Sequence, residues 1–319
     1  MLLTDKINVG GQAVLEGVMM RSPKALAVAV RKSNGEVVLK ETHWRSISAK
    51  YKWMGWPFFR GVVVLFESLV NGIDALTFSA NQALDEGQGE EQMGTWAMIG
   101  TIAVALGLAV ALFVVLPHYA AMAIGRYSPL AFGVDSLIFH LIDGVIKLAV
   151  FLGYVWVIGR MKDIARVFEY HGAEHKSIYT YEAGRELTVA NAREYSTLHP
   201  RCGTAFMLVV LMISIFLFAV VFPFLTPHGQ TISWVWHVFF VGVKIILLFP
   251  IAGAAYELNR YASKHMDAWL FKVAVAPGLW VQKLTTREPS DDQIEIAIIA
   301  LKKALAIEEA QNETFQPAN

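Results

Sequence analysis

The chain has 319 residues, of which 55% are hydrophobic and 17% charged; soluble domains carry about a quarter charged residues, so a water-soluble globule is a poor description. The 27 Lys and Arg balance 27 Asp and Glu, and no net field recommends nucleic acid as a partner. A single cysteine, Cys202, excludes an intrachain disulfide and leaves a thiol suited to a reducing compartment, to reactivity or to a metal.

The opening MLLTDKINVGGQAV has no basic region leading into an apolar one, so no secretory signal is expected there. Residues 7 to 45 read as strands. Ala25 to Arg31 is β-rich, Ser33-Asn34-Gly35 supplies a turn that tolerates positive φ, and Glu36 to Thr42 continues the pattern. Residues 1–56 are therefore expected to form a small cytoplasmic β-unit. From Pro57 to Leu84 an apolar pattern is interrupted by Arg60, Glu67 and Asp74 at sevenfold spacing. This places the charges on one side of an amphipathic helix lying on the membrane or against the β-unit. An acidic linker, Asp85 to Glu91, completes the segment 57–94.

A bilayer core of roughly 30 Å takes about 20 apolar residues as a helix, because the backbone must satisfy itself there. Four stretches in the segment 95–256 meet that length. Thr95 to Leu116 is uncharged and stops at Pro117, and Gly203 to Leu225 is also uncharged. Ser136 to Ile158 carries His140, Asp143 and Lys147; Ile232 to Tyr256 carries His237, Lys244 and Pro250. Ten Lys and Arg precede the first span, seven lie between the second and third, and seven follow the fourth. The segment 117–135 has Arg126 alone, and the turn 226–231 has none. Cytoplasmic flanks retain positive charge, so both termini and the central connection 159–203 are expected inside. After the spans, 257–319 reads as a cytoplasmic helical segment. Ser290 caps a helix that starts with Asp291 and Asp292 and lines up Ile294, Ile298, Leu301 and Leu305. The fold expected is a mainly α membrane protein, with about four transmembrane helices, a small β-unit and amphipathic flanking helices.

Chemistry concentrates in the central connection. His171 and His175 are four apart, so on a helix they share a face and can meet one ion. Glu174 completes H-x-x-E-H, the inverted zinc-protease pattern in which Glu is the general base. In the run HPRCGT, Pro200 extends the backbone at His199 and Gly203 permits a tight turn, so His199 and Cys202 can come round one point. Imidazole and thiolate together suit zinc better than magnesium or calcium. The expected ligands are His171, His175, His199 and Cys202. Alone, such a His pair is usually a surface or packing feature; three His and the only Cys in one membrane-proximal connection say more. Four ligands would close a tetrahedral, structural site, whereas a catalytic one keeps a position for water. An enzyme therefore requires one of the four to stand aside, with Glu182, Glu186 or Glu194 as spare acidic ligands. Thiol chemistry at Cys202, with His199 or His175 as base, lacks an evident orienting group. His140, Asp143 and Lys147 on one span and His237 and Lys244 on another suggest a polar seam, for packing or for function.

The segments GGQAVLEGVMMRSP (10–23), PFFRG (57–61), YHGAEHKSI (170–178), HPRCGT (199–204) and PGLWVQKLTTREP (277–289) together resemble the YqhQ-like family of bacterial membrane proteins. That family has a domain of unknown function and is described as predicted metal-dependent enzymes. The resemblance spans about residues 7 to 305. It implies metal dependence, the bacterial cytoplasmic membrane, and a place near the central connection for the segment around Gln12, Glu16 and Arg21. Glu16 or Arg21 would line the site, or the two would pair to fix the β-unit. The function expected is a zinc hydrolase at the cytoplasmic membrane face, with Glu174 as base. The alternative is a scaffold or assembly factor with a structural zinc knuckle. Membrane lipid is the expected surrounding, with protein partners expected through the β-unit and terminal helix and an oligomer left open. A transporter ranks below both, since four spans with few polar residues make a poor conduit.

Overall fold

The computed structural model describes residues 6–83, 95–129, 132–226, 233–264 and 269–314. The acidic linker 85–91 and most of the turn 226–231 fall outside them. Four antiparallel strands form a meander in the order β1 (Gly10–Val14), β2 (Gly17–Arg21), β3 (Ala25–Arg31) and β4 (Val37–His43). The first turn holds Glu16 at φ +50, and the last uses Gly35 at φ +86, as its Asn-Gly sequence anticipates. Most of β3 is apolar without alternation because both faces of the sheet are covered. Val18, Met20, Ala27 and Ala29 join one core with helices α6 (Lys162–Glu182) and α11 (Asp291–Thr314). Met19, Leu26, Val28 and Val30 join another with Ala75 of α2 (Phe59–Ala83). Between β4 and α2 lie a short helix, α1 (Ile47–Lys50), and a 3-10 turn at Lys52–Gly55.

Ser290 begins α11 as expected: its backbone N–H donates to Gln293 Oε1 at 2.8 Å, one half of a capping box. Ile294, Ile298, Leu301 and Leu305 then bury against the sheet and α6.

Five helices among the described residues are long and apolar enough to cross a membrane: α2 and the stretches Ile99–Tyr127, Leu137–Ile158, Gly203–Leu225 and Trp234–Ala262. The last four match the expected spans, and α2 is the segment expected to be amphipathic. The first span does not stop at Pro117. Helix α3 (Thr95–Val110) passes through a π turn, Ala111–Val115, into α4 (Leu116–Tyr127). The wider turn shifts the hydrogen-bond ladder, and Pro117 then occupies the first turn of α4, where a missing N–H costs little. The later spans are α5 (Leu137–Ile158), α8 (Gly203–Leu225) and α9 (Trp234–Lys264), with α10 (Trp269–Thr285) packed on α8 and α5. Val104, Leu108, Phe216, Val220, Ile246 and Phe249 stand outward and exposed, as lipid-facing side chains do.

The polar seam closes inside this bundle. Asp143 Oδ2 lies 2.8 Å from Lys244 Nζ on α9 and 3.5 Å from Lys147 Nζ. His118 of α4, beyond the stretch expected to span, joins it: its Nδ1 is 3.3 Å from Lys244 Nζ and its Nε2 2.9 Å from His237 Nδ1. One carboxylate thus serves two ammonium groups, all of them buried, so the charges are paired rather than bare.

Candidate metal centre

The central connection is a 21-residue helix, α6, followed by the short helix α7 (Val189–Arg193) and the turn that starts α8. Gly172 interrupts the apolar face of α6 for a packing reason. A Cβ there would lie 2.1 Å from Arg287 O, so glycine admits the backbone just after α10 directly onto the helix. Arg287 N–H then donates to Phe168 O at 2.9 Å.

That approach delivers Thr285 O to His171, whose Nδ1 donates to it at 2.8 Å. One turn on, His175 Nδ1 donates to Thr197 O at 2.5 Å. A neutral imidazole with its proton committed at Nδ1 has its lone pair at Nε2, and backbone carbonyls in this position orient metal-binding histidines. The two Nε2 atoms face the thiol of Cys202. His171 Nε2 lies 3.1 Å from Sγ, His175 Nε2 is buried without a hydrogen-bond partner, and all three ligand atoms lie within 4.8 Å of one another. Burial holds the His175 pKa below the usual histidine value, which keeps the ring neutral. Cys202 caps α8, its sulfur accepting from Thr204 N–H at 3.4 Å. Two nitrogens and one sulfur converge here, a donor set able to hold a metal ion.

His199 stands beside this trio without joining it. Its ring is 5.6 Å from that of His175 and 4.5 Å from Tyr179. Its backbone N–H donates to Gln282 Oε1 and its C=O accepts from Gln282 Nε2, both at 2.7 Å. Nδ1 accepts from Arg201 N–H at 3.3 Å, so Nε2 carries the proton and donates to Glu182 Oε2 at 3.4 Å. Burial pushes its pKa down to about 4, so this contact is a hydrogen bond of a neutral ring, not an ion pair. Glu182 also pairs with Arg201. Glu194 pairs with Arg185, and Glu186 is exposed.

Glu174 is buried on α6 between the two histidines in sequence and accepts from the backbone N–H of Gly11 in β1. Burial raises its pKa above the usual carboxylate value, and His171, His199 and the Gly11 N–H partly offset that. A Cβ on Gly11 would lie 2.8 Å from Glu174 Cγ, so only glycine fits beside the carboxyl group. Glu16 and Arg21 neither line this site nor pair with each other. Glu16 binds Arg166 at 2.5 Å, and Arg21 donates to Glu67 at 3.0 Å over the ring of Trp44.

A family described as "Protein of unknown function (DUF1385)" matches residues 56–307. The chain belongs to the DUF1385 family. It is also 29% identical over 324 residues to "Uncharacterized protein YqhQ" of Bacillus subtilis (strain 168), covering 97% of this chain and 96% of that one. No solved structure matches it significantly. The DUF1385 match runs from α2 through most of α11 and so contains His171, Glu174, His175, His199 and Cys202, while Gly11 lies before it. Gly11, Thr197, Gln282 and Thr285 were not legible as site residues from spacing: three act through backbone atoms, and Gln282 fixes a backbone. Only the resemblance of the segments 10–23 and 277–289 marked two of these stretches.

Proposed function

We propose that the protein is a metal-dependent enzyme, a zinc hydrolase working at the cytoplasmic face of the bacterial inner membrane. The observation that supports it most is the three-and-one arrangement. His171 and His175 converge on Cys202 with both Nδ1 protons committed to backbone carbonyls, while His199 is turned to Glu182 and Arg201. Three protein ligands leave a coordination position open, the arrangement of catalytic rather than structural zinc. When bound, zinc would supply Lewis acidity and make a water at that position a stronger acid.

The chain's own groups then divide the work. Thr285 O and Thr197 O hold the two imidazoles in the tautomer that leaves Nε2 unprotonated. Glu174, kept in place by Gly11 N–H, is the general base. A carboxyl group with a raised pKa is better matched to moving a proton near neutrality than an exposed one. What supports the cytoplasmic placement is the 24 Lys and Arg on the segments flanking the spans on one side against Arg126 on the other. An amphiphilic or membrane-embedded substrate suits a site at the foot of α8.

Cobalt substitution tests the open position. The cobalt-loaded full-length protein should change its visible absorption spectrum when azide is added, because an exogenous anion can enter. An unchanged spectrum, together with loss of cobalt in His199→Ala, would identify a closed four-ligand site and favour the scaffold or assembly-factor alternative.

A further inference from the structure

Helix α2 is built inside out. The residues it buries are Gly61, Glu67, Asn71, Gly72, Ala75 and Ser79, all small or polar. The residues it exposes include Phe59, Leu65, Phe66, Leu69, Val70 and Leu76, with Phe66 58% accessible. Both sets recur at helical spacing on opposite faces. The inner face meets neighbouring elements along its length. Gly61 crosses α9 where a Cβ would lie 2.7 Å from Tyr256 Cβ, and Gly72 admits the side chain of Gln12. Glu67 accepts from Ser46 Oγ at 2.8 Å, from Ile47 N–H at 2.7 Å and from Arg21. The outer face is the wrong way round for water.

Length and composition would let α2 cross a bilayer, but its contacts argue against that. From Glu67 onward it packs on the sheet, where Arg21 meets Glu67 and Lys40 meets Asp74 at 2.8 Å. A crossing helix would drag these charges and the sheet's polar backbone to hydrocarbon depth, which the bilayer opposes. The helix instead starts at the end of α9, where Arg60 pairs with Glu257 and Gly253 lies under Phe58 O.

The segment just before α2 has matching chemistry. Between residues 44 and 58 there are three cations, Arg45, Lys50 and Lys52, and no Asp or Glu. All three are exposed, and no acidic side chain pairs with them among the described residues. Trp53 and Trp56 stand exposed beside them. Tryptophan and lysine side by side are the chemistry of the headgroup layer, and unpaired cations there attract anionic lipid.

We infer that α2 lies flat in the bilayer interface on the side that carries the β-unit, with its outer face among the acyl chains. The segment 45–56 then forms a contact site for anionic phospholipid headgroups. This holds the sheet, and with it Gly11 and Glu174, at a set height against the membrane. The inference rests on the spans lying in a bilayer and is independent of whether a metal is bound.

The test uses the full-length protein reconstituted in phosphatidylcholine vesicles, with and without phosphatidylglycerol. Phospholipids carrying a photoreactive diazirine either near the headgroup or near the acyl terminus report depth, and mass spectrometry maps the labelled residues. The shallow probe should label Phe59, Phe66, Leu69 and Leu76 to similar extents, and the deep probe should label them far less than the centre of α8. Preferential deep labelling of Leu69 would show α2 crossing and overturn the inference. Absence of labelling from 59–76 while α8 is labelled would show that protein, such as a second copy, covers the face, and would also overturn it. Phosphatidylglycerol should raise shallow labelling of 51–66, and high salt should abolish the increase in the unmodified chain. Lys50→Glu with Lys52→Glu should abolish it at low salt. Labelling indifferent to phosphatidylglycerol would remove the headgroup site.

Discussion

Glu174 and Gly11 are far apart in sequence and meet because β1 runs beside α6. The contact gives a sharp test of the base. Gly11→Ala places a methyl group against Glu174 Cγ, and overpacking of this kind costs typically ~1–3 kcal/mol. Thermal unfolding should show that loss while bound metal, measured by elemental analysis, is retained. An unaltered melting temperature would mean that Glu174 does not sit where it is described. Glu174→Gln should likewise keep the metal, because Glu174 is not among the three converging ligands; loss of metal in that variant would make it a ligand and remove it as base. At this scale the sequence was half legible. Helical spacing put His171 and His175 on one face, and a Pro-Arg-Cys-Gly turn brought Cys202 round to them. The same reasoning placed His199 with them. Spacing cannot see Glu182 and Arg201, which take up both of its ring nitrogens.

At the scale of elements, α6 depends on one glycine and α5 on one carboxylate. Gly172 reads as a flaw in a helix until Arg287 O is seen against it. Gly172→Ala must push the segment that follows α10 away, displacing Thr285 O from His171, so zinc should bind more weakly and the protein should lose on the order of 1–3 kcal/mol. Competition with a chromogenic chelator reads the first effect, and unchanged affinity would separate Gly172 from the centre. In the bundle, Asp143→Asn leaves Lys147 and Lys244 with no counter-charge. Breaking a buried pair from one side costs roughly 3–5 kcal/mol. Lys147→Met keeps the closer pair, Asp143 with Lys244, and should cost less. Melting in detergent compares the two, and the reverse order would contradict the pairing described. The missing member, His118, lay just beyond Pro117, where sequence alone ended the span. The π turn that carries the helix past this proline leaves no compositional mark.

Across the whole molecule, the architecture was the most legible part, because a bilayer demands long uninterrupted apolar stretches and a two-sided sheet demands runs such as ALAVAVR. The role of α2 was the hard part: hydropathy says it can cross, and only its neighbours show polar side chains facing in and large apolar ones facing out. The count of crossings decides the topology. Four spans put the β-unit and α11, which pack on each other, on one side, whereas five would part them. Fluorescent-protein fusions that mature only in the cytoplasm should therefore glow at either end of the chain. A dark fusion at one end would contradict both the four-span reading and the interfacial placement of α2.

The central claim is that two imidazoles and one thiol hold a metal while His199 stands aside. Elemental analysis of the purified full-length protein measures it most directly. The account predicts one zinc per chain, lost in Cys202→Ser and in His175→Ala but kept in His199→Ala. A protein that binds no stoichiometric metal, or one whose metal survives removal of Cys202, would contradict it.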